Sequence, residues 1–291
     1  MMNNKIKTAV FPVAGLGSRF LPATKVTPKE MLPIVDKPLI QYAVEEAAEA
    51  GITKMIFVTG RNKRSIEDHF DTAYELEAEL ALKSKEDLLK IASSVVPNGC
   101  EFVCVRQSAA LGLGHAVRCA KSAVFDEDFA VLLVDDLIKG PVGATAQLIS
   151  ARGNSDRAVI GLEAIEPHQT EAYGVVAVKE KLDEHVIVSD LVEKPQSDAA
   201  PSNLGVVGRY ILPNSIFDAI DSLGSGSGGE IQLTDALAVL AKREGVLGVP
   251  LTGLRFDCGS KLGFVMANVA MGLEHPEIGI KFASYLRSIA P

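Results

Sequence analysis

The sequence predicts an α/β fold: a central mixed, mostly parallel sheet flanked by helices, with a helical insertion and C-terminal helices. Three observations carry this. Short apolar, β-branched runs alternate with helical patterns through the first half, the signature of parallel strands covered on both faces. The first run, residues 8–13, stops at Ala14-Gly15-Leu16-Gly17, as a buried strand entering a tight turn does. Beyond residue 165 the pattern becomes hairpin-like, which makes the sheet mixed.

In order, the first strand is followed by a helix over 39–50 and a strand over 54–59. The charged stretch 65–90 reads as one or two amphipathic surface helices, an insertion rather than core. Buried strands follow at 101–106, 129–134 and 158–164, with a helix over 114–122 between the first two. Residues 173–179 and 186–193 read as a hairpin, 203–212 as a further strand, 224–229 as a Gly/Ser connector, and 259–271 and 276–289 as terminal helices. Ligands in such sheets bind beyond the carboxyl ends of the strands, so the residues just after each strand are the candidates for chemistry.

Composition narrows the classes. With 291 residues, 47% hydrophobic, the chain can bury a large core. No apolar run is long enough for a membrane span or signal peptide, which points to the cytoplasm. A net charge of −8 argues against nucleic acid as partner but leaves room for a small anionic substrate on a local cluster of cations. The four cysteines form no C-x-x-C pair; Cys100 and Cys104, four residues apart along a strand, are expected to be buried and inert.

The glycine turn is the most informative motif. Its glycines let main-chain N–H groups approach a ligand. A dinucleotide fingerprint would need a third glycine where Phe20 stands, and Pro22 and Pro28 prevent a regular helix from starting promptly. No G-x-x-x-x-G-K-[ST] occurs, which disfavours a P-loop. What remains is a turn followed by Arg19, Lys25 and Lys29, a cradle for polyphosphate.

Further candidates stand at later strand ends. The amide of Gln107, near Gly112, complements a pyrimidine edge; His115, close by, is expected to have no chemical role. Asp135 and Asp136 after one strand, and Asp257 after another, suit Mg²⁺, which needs only one or two protein oxygens beside substrate phosphates. Glu193-Lys194-Pro195 offers an acceptor for sugar hydroxyls beside a cation for a phosphate.

Taken together, residues 15–22, Pro28-Lys29-Glu30-Met31-Leu32-Pro33, Asp36-Lys37-Pro38, Gly-Leu-Gly-His-Ala-Val at 112–117, Gly-Arg-Tyr-Ile-Leu at 208–212 and Asp257-Cys258-Gly259 resemble the nucleotidyltransferases that make nucleoside-diphosphate sugars. The likeness spans essentially the whole chain. It implies a Rossmann-like fold in one domain, with a nucleotide-binding half (8–164), a sugar-phosphate-binding half (165–258) and C-terminal helices (259–291). It further implies UTP and glucose 1-phosphate as substrates, UDP-glucose and pyrophosphate as products, Mg²⁺ as cofactor and a homo-oligomer, often a tetramer. By position, Ala14, Gly15, Gly17, Gln107 and Gly112 would meet the nucleotide. Arg19 and Lys29 would act on the triphosphate, Gly174, Glu193 and Lys194 would receive the sugar phosphate, and Asp135 and Asp257 would hold the metal. One departure is Val134, where Pro or Gly is usual before the metal aspartate, and the doubled aspartate leaves Asp135 or Asp136 as ligand. A thymidylyltransferase acting on the same sugar phosphate and a non-catalytic regulatory paralogue are the alternatives.

Overall fold

The computed structural model describes residues 6–224 and 229–289, so most of the expected Gly/Ser connector lies outside the described residues. Its strands are β1 (Thr8–Pro12), a short hairpin β2 (Pro33–Ile34) and β3 (Lys37–Pro38), β4 (Lys54–Thr59), β5 (Glu101–Arg106), β6 (Phe129–Leu132), β7 (Asp136–Lys139), β8 (Val159–Ala164), β9 (Gly174–Leu182), β10 (His185–Glu193), β11 (Leu204–Leu212), β12 (Val246–Pro250) and β13 (Leu254–Asp257). Nine of them form one sheet in the order β5-β4-β1-β6-β11-β8-β12-β10-β9. β5, β4, β1 and β6 are parallel. β11 runs antiparallel to β6 and β8, and β10 antiparallel to β12 and β9, so the sheet is mixed as expected.

The central strands are apolar at consecutive positions because both faces are covered. Val10 and Ile56 point into one core cluster while their neighbours Phe11 and Phe57 point into the other, following the two-residue period of a strand. Helices α1 (Leu39–Glu49) and α7 (Ala144–Arg152) cover the second face; α5 (Leu113–Cys119), α8 (Ile216–Ser222) and α9 (Leu233–Glu244) cover the first. The remaining helices are α2 (Arg64–His69), α3 (Tyr74–Leu82), α4 (Glu86–Ser93), α6 (Lys121–Val124), α10 (Lys261–Glu274) and α11 (Gly279–Ile289).

Two expectations are corrected. The insertion over 65–90 is three helices rather than one or two, because Ser84, at φ 54°, separates α3 from α4. Cys104 is exposed, not buried, and Cys100 precedes the strand and is only half-buried, because β5 is the edge of the sheet. Partial desolvation nevertheless raises the Cys100 thiol, and partial desolvation together with the Glu67 carboxylate raises that of Cys104, so both are poor thiolates.

Candidate active site

The segment after β1 forms three short 3₁₀ turns, at Ser18–Phe20, Ala23–Lys25 and Lys29–Met31, rather than a helix. Gly17 sits at φ 68°, where a Cβ would also press on Lys29 and Thr24, and its carbonyl accepts from Thr24 Oγ1 at 2.7 Å. That folded loop turns the Lys29 ammonium back onto Asp135, with Nζ 2.5 Å from Oδ2. Burial opposes the charge on both groups, but each partner outweighs it: Lys29 is held above its usual range and Asp135 below.

Asp135 lies in a turn between β6 and β7 that is gripped from below. The fully buried Arg209 guanidinium donates to the carbonyls of Leu133 and Asp136, each at 2.9 Å, and is neutralised by Glu46 at 2.8 Å. Asp136 points the other way: its Oδ1 accepts from Arg255 Nε at 2.6 Å and its Oδ2 from the Gly208 amide at 2.8 Å. A Cβ on Gly208 would collide with Asp136 and Leu133 at 2.5 Å, so only glycine fits there.

Asp257, at the end of β13, comes beside Asp135. The Cys258 amide donates to the Asp135 carbonyl at 2.7 Å, and the Gly259 amide to Asp257 Oδ1 at 3.0 Å. A Cβ on Gly259 would stand 3.0 Å from both Asp135 Oδ2 and Asp257 Oδ1, and 3.6 Å from the Arg19 guanidinium. Two carboxylates and two cations therefore converge on one small volume. The set suits Mg²⁺ in donor chemistry: two hard carboxylate donors side by side, both lining one open cleft. No group of three or more metal-binding side chains occurs among the described residues, so a protein-only metal cage is absent there.

From this point a cleft of about 370 Å³ extends past Arg19, Asp135 and Asp257 to Gly174, Glu193 and Lys194. Glu193 Oε2 accepts from Thr234 Oγ1 at 2.7 Å, and a Cβ on Gly174 would come within 3.2–3.4 Å of those two groups. Lys194 adopts φ 47°, its amide bonded to the Tyr173 carbonyl at 2.9 Å and its exposed ammonium 3.4 Å from Glu193. At the glycine turn, Ala14 and Gly15 line a separate recess of about 100 Å³ with Lys25 and Lys63. Gln107 follows β5, its amide nitrogen donating to the Gly112 carbonyl at 3.2 Å. Gly112, at φ 96°, passes so close to Ile231 that a Cβ would lie 2.7 Å from its carbonyl oxygen.

Thr234, Arg255 and Gly259 were not singled out from the sequence; of the three only Gly259, in Asp-Cys-Gly, carries a local signal. Nor was the pair beneath Lys29, where buried Lys63 donates to Glu30 at 2.6 Å and Glu30 Oε1 has no hydrogen-bond partner among the described residues.

A loop carrying Arg19 and Lys29, converging carboxylates and an adjoining cleft on this sheet define a class, and the family model for nucleotidyl transferases matches residues 9–270: the chain belongs to that family. More particularly, it is 46% identical over 99% of its length to a UTP–glucose-1-phosphate uridylyltransferase of Bacillus subtilis, of which it covers 97%. A solved UTP-bound UGPase from Acinetobacter baumannii is 46% identical and superposes with a TM-score of 0.90 over 98% of this chain and all of that one. A putative glucose-1-phosphate thymidylyltransferase from Bacillus anthracis, 22% identical with a TM-score of 0.69 over 90% of this chain and 94% of that one, shares the fold.

Proposed function

We infer that the chain transfers the uridylyl group of UTP to α-D-glucose 1-phosphate, giving UDP-glucose and pyrophosphate. The observation that carries this is the meeting of Arg19, Lys29, Asp135 and Asp257 at one end of a cleft whose other end holds Glu193 and Lys194, in a chain so similar to uridylyltransferases. A phosphate oxygen of the sugar phosphate attacks the α-phosphorus of UTP, and the bond from that phosphorus to the pyrophosphate oxygen breaks.

Both reactants are anions, so the protein's work is to align them and cancel their repulsion. Arg19 and Lys29 stabilise charge growing on the departing pyrophosphate. Lys194 takes the sugar's phosphate, while Glu193, fixed by Thr234, accepts from sugar hydroxyls beside Gly174. Ala14, Gly15 and Gly17 bring main-chain groups to the nucleotide, and Gln107 and Gly112 meet its base. Asp135 and Asp257 would hold Mg²⁺, which neutralises phosphate charge when bound.

No helix among the described residues is long and apolar enough to cross a membrane. We read 1–291 as one domain with the nucleotide half at 8–164, the sugar-phosphate half at 165–258 and the terminal helices at 259–291. Those helices expose Leu262, Val265, Ile280 and Tyr285, which suits self-association into an oligomer, a tetramer being the form the resemblance favours. Product identification by mass after incubation with UTP or dTTP, Mg²⁺ and a panel of sugar 1-phosphates tests the reading. UDP-glucose is the expected product; a dTTP-only product would establish the thymidylyltransferase, and no product with any nucleotide the non-catalytic paralogue.

A further inference from the structure

We propose that His115 makes the site choose uracil over cytosine by locking the side-chain amide of Gln107 in one orientation. The inference rests on the reading that Gln107 meets the base. Gln107 is nearly buried, and its amide nitrogen lies 3.2 Å from the Gly112 carbonyl and 2.9 Å from His115 Nδ1. A carbonyl can only accept, so the atom facing it is the NH₂ nitrogen. With one N–H given to Gly112, the other goes to His115 Nδ1, which must then be the bare, accepting nitrogen of the ring.

Both N–H groups of Gln107 are thereby committed within the protein, leaving Oε1 as the group available to a ligand, and Oε1 only accepts. Uracil and thymine carry a donor at N3; cytosine carries a bare acceptor there. A free amide could turn over and serve either ring, whereas an amide pinned by Gly112 and His115 serves only the one with N3–H. His115 is well placed to hold this pose, because α5 fixes its backbone one turn from Gly112 and Cys119 packs against the ring at 3.9 Å. The aligned nitrogen matters, not the ring: asparagine at this position carries an acceptor oxygen where histidine carries Nδ1, while leucine carries none.

The test is the ratio of kcat/KM for UTP to that for CTP, with glucose 1-phosphate and Mg²⁺ fixed, in the wild type, His115→Leu, His115→Asn and Gln107→Ala. Loss of one aligned hydrogen bond is worth about tenfold, so the ratio should fall about tenfold in His115→Leu and stay near the wild-type value in His115→Asn. A loss of stability alone would lower both rates together and leave the ratio in place. An unchanged ratio in His115→Leu, or an equal fall in His115→Asn, overturns the lock. Unchanged KM for UTP in Gln107→Ala overturns the underlying placement of the base instead, and the lock with it.

Discussion

Lys29 Nζ sits 2.5 Å from Asp135 Oδ2, so the cation proposed to face the leaving pyrophosphate and the carboxylate proposed to face the metal neutralise one another. The pair keeps both groups charged in a partly desolvated site, so Lys29 would offer a cation to polyphosphate and Asp135 a carboxylate to the proposed metal. In Lys29→Ala we expect turnover to fall by about two to three decades, the usual loss for one transition-state electrostatic contact. The freed carboxylate should bind Mn²⁺ more tightly than wild type in the absence of nucleotide. Single-turnover kinetics and titration calorimetry check the two halves; near-normal turnover would remove Lys29 from the chemistry.

Beneath that loop, Lys63 and Glu30 form an ion pair with side chains 6% and 1% exposed. Burial drives the two toward neutrality, raising the Glu30 carboxyl and lowering the Lys63 ammonium. Breaking such a pair leaves a buried charge, so Lys63→Met should destabilise by about 3–5 kcal/mol. Replacing both residues with methionine should recover most of that loss, since the desolvation penalty goes with the pair. Urea unfolding of the two singles and the double checks this, and an additive double would contradict it.

Stability should depend on acid through Glu46. Burial alone would raise its carboxyl, but the Arg209 guanidinium and the Thr145 hydroxyl and amide outweigh it and hold it below the ordinary 4.5. The unfolded chain then binds the proton more readily than the folded one. The stabilisation is therefore full above about pH 4.5 and is lost as pH falls through the depressed folded value. Glu46→Gln should be less stable at neutral pH and lose less on acidification. Parallel urea midpoints at neutral and acid pH in both proteins settle it; equal acid slopes would exclude Glu46 as a source.

How much of this was legible depends on whether the cause is local. The strands at 8–12, 54–59 and 129–132 announce themselves because both faces are buried and turn residues bound them. The break between α3 and α4 does not, since it is made by Ser84 in the left-handed region rather than by glycine or proline. Helix α7 was missed because its core-facing residues include Ala144 and Thr145, small side chains that blur the helical stripe. Asp135, Asp257, Glu193 and Lys194 were nameable from sequence because strand ends and motif wording mark them. Thr234, the partner of Glu193, and Arg255, the partner of Asp136, were not, because those contacts join residues 41 and 119 positions apart and leave no local trace.

The adjacent aspartates should separate cleanly. Asp135 is partly exposed, faces Lys29 and stands beside Asp257; Asp136 is buried and spends both oxygens on Arg255 and Gly208. Arg255 in turn reaches Glu163 and the Tyr173 hydroxyl, each at 2.9 Å, so Asp136 anchors a network joining the two sides of the cleft. Asp135→Asn keeps the shape and removes the charge that Lys29 and the proposed metal would share. It should melt close to wild type, bind Mn²⁺ at least tenfold more weakly and lose about two to three decades of turnover. Asp136→Asn strands much of the Arg255 charge in a nearly buried site and should instead cost about 3–5 kcal/mol of stability. Its Mn²⁺ affinity, measured where the protein is still folded, should stay near wild type. Denaturation midpoints and Mn²⁺ titrations on the two variants check the assignment, and the reverse pattern would make Asp136 the metal ligand.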